Sequence, residues 1–65
     1  MSVAFHSELY SERAVRGAVE AFAQLATLSV ERDGVDWVVR IEDPHPAYGD
    51  RVADELANYV LKLDR

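Results

Sequence analysis

The most regular pattern of apolar and polar positions lies in the middle of the chain. Leu28 and Val30 alternate with Thr27, Ser29 and Glu31, and Val35, Trp37, Val39 and Ile41 alternate with Asp36, Arg40 and Glu42. A period of two is that of a half-buried strand. The two runs flank Asp33-Gly34, a dipeptide that favours a two-residue type I′ turn. A loop at that point sets Val30 opposite Trp37 and Leu28 opposite Val39, so turn chemistry and hydrophobic parity choose the same register. It also sets Glu31 opposite Asp36 on the outer face, a mild like-charge penalty. Val38 is the one apolar residue on that polar face.

On either side of this hairpin the period changes. Val3 to Tyr10 reads as a short first strand, with Val3, Phe5 and Leu9 on one parity and His6 and Glu8 on the other. Ser11 is a good helix N-cap. After it Val15, Ala18, Val19, Phe22, Leu25 and Ala26 recur at three- and four-residue spacing, the apolar stripe of an amphipathic helix. Ala14, Ala18 and Ala21 add a smooth flank where another backbone can approach. Gly17, inside this helix, costs about 1 kcal/mol relative to alanine or marks a close contact. From Asp43 to Gly49 two prolines rule out a continuing strand and predict a loop. Asp50 is then a candidate cap for a final helix with the stripe Val52, Leu56, Tyr59, Val60 and Leu63. Asp54 and Glu55 stand early in it, and Lys62 and Arg65 late, as the helix dipole prefers.

The predicted order is β-α-β-β-α across residues 1–65, one domain of the α+β class. A right-handed crossover makes the first two strands parallel, and the third is expected between them, antiparallel to both. The expected architecture is a two-layer sandwich: a three-stranded mixed sheet with both helices on the face carrying Leu28, Val30, Trp37, Val39 and Ile41. The other sheet face stays open, and two strand edges stay unpaired.

Composition narrows the function. The 65 residues suffice for one core only, and in so short a chain burial and ordering entropy nearly cancel. Cysteine is absent, which removes disulfides and thiolate metal sites and agrees with a reducing cytoplasm, the expected location. Oligomerisation or a partner is the remaining stabilising device, so a homodimer is expected in the absence of other partners. The N-terminus does not read as a signal peptide, and no apolar run is long enough for a membrane span. Twelve acidic residues against seven basic ones give a net charge of −5. That charge, with the arginines scattered among acids, argues against nucleic acid and anionic lipid as partners.

His6 and His45 are the only groups suited to acid-base work near neutrality, and neither sits in a motif. Ser7 or Ser11 with His45 and an aspartate lack the strained elbow and glycine-rich loop of a serine hydrolase. Asp43, His45 and Asp50 match no metal-binding spacing and read more simply as a proline-rich turn. Trp37 and Tyr59 read as core anchors, with a binding surface as the alternative. No enzyme, cofactor or metal is expected. The function expected from the residues is binding of a protein or peptide partner at an exposed sheet edge. The candidate partner-binding residues are Phe5, His6 and Glu8 of the first strand and Thr27 and Ser29 of the second. The alternative is a structural homodimer with no peptide ligand.

One resemblance sharpens this. Leu9-Tyr10-Ser11 followed by Ala14, Ala18 and Phe22 resembles the start of the small D component of the His-Xaa-Ser systems, bacterial peptide-modification clusters with radical SAM enzymes. Leu56, Asn58, Tyr59, Leu61 and Lys62 resemble that family's closing leucine-asparagine-aspartate-tyrosine-leucine-arginine signature. Here Ala57 and Asn58 stand at its asparagine and aspartate, and Lys62 at its arginine. The resemblance covers both helices and part of the first strand. It implies a non-catalytic accessory protein whose partners are a radical SAM maturase and its precursor peptide.

Overall fold

A computed structural model describes residues 1–64, which run as β1 (Ser2–His6), α1 (Glu12–Ala21), β2 (Thr27–Asp33), β3 (Asp36–Glu42) and α2 (Arg51–Leu63). The class is α+β, a three-stranded sheet with two helices. Arg65, expected in the last helical turn, lies outside the described residues.

The sheet order is β1-β3-β2, with the third strand in the middle as expected. Both ladders are antiparallel. The expectation of a mixed sheet is therefore corrected: β1 and β2 run parallel to one another but never pair, because β3 separates them. Register sets Val3 against Val39, Phe5 against Trp37, Leu28 against Ile41 and Val30 against Val39. These side chains share a face. Phe5, Val39 and Ile41 are buried there in one cluster with Ala14, Val15 and Ala18 of α1 and Val52, Leu56 and Val60 of α2.

The hairpin departs from its predicted register by two residues. Its turn is Gly34-Val35, with Asp33 opposite Asp36. Gly34 has φ 61° while Val35 stays out of the positive-φ region, the signature of a type II′ turn. A type I′ turn at Asp33-Gly34 would force Asp33 into the left-handed region as well. The observed turn asks that only of glycine, which adopts it without steric cost. It also pairs Val30 and Leu28 with aliphatic partners and moves Glu31 opposite Val38. Val35, expected in the core, is 56% exposed at the turn.

Three element ends also differ from expectation for local reasons. β1 stops at His6 because its carbonyl accepts from the N–H groups of both Leu9 and Tyr10, which turns the chain and leaves Leu9 exposed. α1 stops at Ala21 because the chain tightens into i→i+3 bonds, Ala23 N–H to Glu20 and Leu25 N–H to Phe22. Leu25 and Ala26 still pack against the core from that turn. Ser11 caps α1 as expected, its Oγ accepting from Ala14 N–H at 3.2 Å. Asp50 caps nothing with its side chain. The carbonyls of Tyr48 and Gly49 already accept from Arg51 and Val52, two of the four N–H groups at the helix start that have no partner within the helix.

The helices meet where small residues allow it. A Cβ on Gly17 would stand 3.0 Å from Leu63 Cδ1, so Gly17 marks the close contact between α1 and α2. The Asp64 carboxylate accepts from Ser11 N–H at 2.9 Å, tying the end of α2 to the start of α1. Tyr59 is not a core anchor: it is 37% exposed and meets Phe22 edge-to-face at 5.5 Å.

Two substitutions check this packing and register by denaturant melts. Leu56→Ala, at a fully buried position, is expected to cost about 2–5 kcal/mol, a large share of what so small a domain has. Val35→Lys is expected to change stability by no more than about 0.5 kcal/mol, because the side chain projects from the turn. A loss like that of a core residue would instead restore the Asp33-Gly34 register.

Candidate functional site

The groups able to act on another molecule are those the sheet leaves open, and the ladder bonds identify them. Met1 C=O accepts from Ile41 N–H at 2.7 Å, and Ser7 N–H donates to Val35 C=O at 2.8 Å. With the antiparallel alternation, these bonds place the main-chain groups of Met1, Val3, Phe5 and Ser7 towards β3. Those of Ser2, Ala4 and His6 point out of the sheet. On the other edge the two-residue turn makes Asp33 and Asp36 a hydrogen-bonded pair, so Thr27, Ser29, Glu31 and Asp33 face β3. Leu28, Val30 and Arg32 turn their main-chain groups outward.

Against this alternation the five candidate residues fall in different places. Phe5 points its main chain into the β1–β3 ladder and its side chain into the core, 4% exposed. His6 offers an outward N–H, but its C=O is taken by the turn that follows. Glu8 lies in that turn, its N–H donating to His6 Nδ1 at 3.2 Å. Thr27 and Ser29 direct their main chains to β3, and their exposed side chains lie on the face opposite the core. A turn at Asp33-Gly34 would have sent those two main chains outward. Moving the loop by one residue leaves every side chain on its own face and reverses which main-chain groups reach the edge.

Sequence reasoning overlooked Arg32. Its side chain sits on the core face of β2, opposite Trp37, with the guanidinium 4.7 Å from the indole centroid. Arg32 Nε donates to Gly34 C=O at 2.8 Å and Nη2 to Ser7 Oγ at 3.2 Å. One side chain thus bridges the hairpin turn, β3 and the segment after β1. Trp37 beneath it is half-buried, not sealed under the helices, and its Nε1 is buried with no hydrogen-bond partner among the described residues. The signal for Arg32 was present as a cation facing an aromatic across a hairpin, but it appears only in the shifted register.

The other polar candidates are engaged locally. Ser7 and Ser11 accept from Arg32 and Ala14. His45 Nδ1 accepts from Ala47 N–H at 3.1 Å, its ring meets Tyr48 edge-to-face, and its own N–H donates to Leu25 C=O, anchoring the proline loop beside the start of β2. Asp43 takes φ 49°, a left-handed conformation that aspartate tolerates. Among the described residues, Asp43, His45 and Asp50 do not converge as a metal site.

Hydrogen exchange tests the edge assignment amide by amide. The N–H groups of Val3, Phe5, Ser29 and Glu31 are expected to be protected, and those of Ala4, Leu28, Val30 and Arg32 to exchange far faster. Protection of Leu28 and Val30 with fast exchange at Ser29 would reverse the assignment. Compared with protein-family models, with curated proteins and with solved structures, the chain matches none.

Proposed function

We propose that this chain is a non-catalytic accessory protein that holds an extended segment of a peptide or protein partner by adding it as a further strand to the sheet. What supports this reading is the pair of antiparallel edges, whose outward N–H and C=O groups recur at every second residue and suit main-chain pairing. In this reading the architecture is two-layered. Both helices lie on the core face, and the opposite face and the edges stay free for an incoming chain. Main-chain bonds supply affinity, alternate side chains supply selectivity, and no acid, base or metal takes part.

The resemblance to the small D component of the His-Xaa-Ser systems supplies a context, a cytoplasmic radical SAM maturase and its precursor peptide. The positions carrying it divide by role: Ala14, Ala18 and Leu56 are buried, while Asn58, Leu61 and Lys62 are exposed along α2. The exposed set is where a maturase would meet the chain. Nucleic acid is disfavoured by the charge of −5, and no helix among the described residues is long and apolar enough to cross a membrane.

A second reading, a structural homodimer, is favoured by the exposed apolar side chains of α2, Leu61 at 46% and Leu63 at 43%. Melting then depends on protein concentration, and a melting temperature constant over about a hundredfold dilution removes it.

Titration with a synthetic peptide of His-Xaa-Ser repeats tests the main reading. His6→Gln with His45→Gln is expected to leave affinity within about 1 kcal/mol, because side-chain chemistry at those positions is not used. Proline at an outward N–H, Ala4→Pro or Val30→Pro, is expected to abolish binding at the edge that is used while the protein still melts cooperatively. Full affinity in both proline variants would rule out strand addition and shift attention to the Pro44-His45-Pro46 loop.

A further inference from the structure

We propose that β2 is the docking edge and that its occupant is an extended segment of a partner in which apolar and basic side chains alternate. This rests on the strand-addition reading and names the edge and the partner's chemistry. The two edges are unequal. On β1 the His6 carbonyl is consumed by the turn to Leu9 and Tyr10, which closes the edge after two fully open residues, Ser2 and Ala4. β2 pairs continuously from Thr27 to Asp33 with no bulge and no proline, and Leu28, Val30 and Arg32 present three successive outward N–H and C=O pairs. Arg32, the one charged residue of that strand on the core face, is drawn over Trp37 and held by Gly34 and Ser7.

The flanking side chains specify what would lie alongside. On the core side of the edge Leu28 and Val30 are half-buried, and Phe22 and Leu25 of the turn after α1 are half-buried against the same core. Every second residue of an added strand would extend this apolar surface. On the open side the charged neighbours are Glu31 and Asp33, with Asp36 opposite Asp33 on β3 and Glu42 farther along, opposite Thr27. Among the described residues of β2 and β3, Arg40 is the one basic residue on that face, and it already pairs with Glu31 at 3.7 Å. Asp33 and Asp36 stand directly opposite each other, a like-charge pair that a cation beside them would relieve. The intervening residues of the added strand are therefore lysine or arginine. A second copy of this chain fits worse, since its own β2 would bring another Glu31 and Asp33 to this face and another net −5 to the complex.

The probe is a short synthetic peptide alternating lysine and valine, titrated into the intact protein. Its controls are a glutamate-valine peptide and a lysine-valine peptide methylated on alternate amide nitrogens. Binding of the lysine-valine peptide is expected to weaken with salt. It is expected to fall at least about tenfold with Val30→Pro or with the methylated probe and to be unchanged by Ala4→Pro. Glu31→Lys with Asp33→Lys should reverse the preference in favour of the glutamate-valine peptide. The methylated probe carries the test if Val30→Pro does not fold. Loss on Ala4→Pro instead overturns the choice of edge and leaves strand addition standing. Equal binding of the glutamate-valine peptide overturns the basic chemistry. Undiminished binding of the methylated probe overturns strand addition itself, leaving ionic capture. A dimer dissolved by Val30→Pro in a protein that takes up no peptide assigns the edge to a second copy and overturns the proposal.

Discussion

The left-handed conformation of Gly34 governs the hairpin and, through it, the orientation of every main-chain polar group in the sheet. With φ at 61° at the first turn position, the loop closes over Gly34-Val35 and the ladder starts at Asp33 and Asp36. From that starting pair the alternation runs outward without interruption. Even-numbered residues of β3 bond β2 and odd-numbered ones bond β1. The central strand spends its hydrogen-bonding capacity on both neighbours, and the outer strands keep half of theirs. A different turn would keep the same strands and the same core face yet present the other half of those groups to solvent.

The core that rests on this frame is built from small side chains. Of the ten buried residues among those described, three are alanine and four are valine, so the helices must lie close to the sheet and to each other to exclude water. Closeness explains Gly17, whose missing side chain admits Leu63, and the alanine row that the sequence pattern places on one flank of α1. It also explains why the ends are tied by polar contacts, Ser11 to Asp64 and Arg32 to Ser7 and Gly34. The larger side chains, Trp37 and Phe22 among them, sit half-buried at its margins, where Arg32 over Trp37 and Tyr59 against Phe22 cover surface that a larger domain would bury outright.

Much of the fold was legible because periodicity and crossover handedness are robust to small errors. Two amphipathic stripes and two alternating runs put the apolar residues inside, and the expected place of β3, between β1 and β2, is the one observed. The turn was not legible, because shifting a hairpin by two residues preserves which side chains share a face, so hydrophobic parity is silent between the two registers. Turn sterics, which here ask the left-handed region of glycine alone, and cross-strand chemistry separate them: one register sets Glu31 against Asp36, the other sets Arg32 against Trp37 and Val30 against Val39. The same degeneracy misplaced the edge residues. Thr27 and Ser29 turn their main chains inward, towards β3, and Phe5 belongs to the core. Asp50 misled because carbonyls of the preceding turn already accept from the first two N–H groups of the helix, Arg51 and Val52.

An open, regular edge such as β2 is a hazard in solution, because any extended chain can pair with it, including another copy of itself. The usual safeguards, a bulge, a proline or an inward-pointing charge, are missing here or, in Arg32, diverted to the indole. What remains is the acidic border formed by Glu31, Asp33, Asp36 and Glu42 together with a net charge of −5. Like charge opposes pairing between copies most strongly where their edges would meet, and it weakens with salt as exposed charges do. The border cannot repel without discriminating: carboxylates that hold off an acidic strand attract a basic one at the same positions. Protection of the edge and choice of partner in the proposed complex thus follow from one row of side chains, and an edge guarded by proline would have been safe from both.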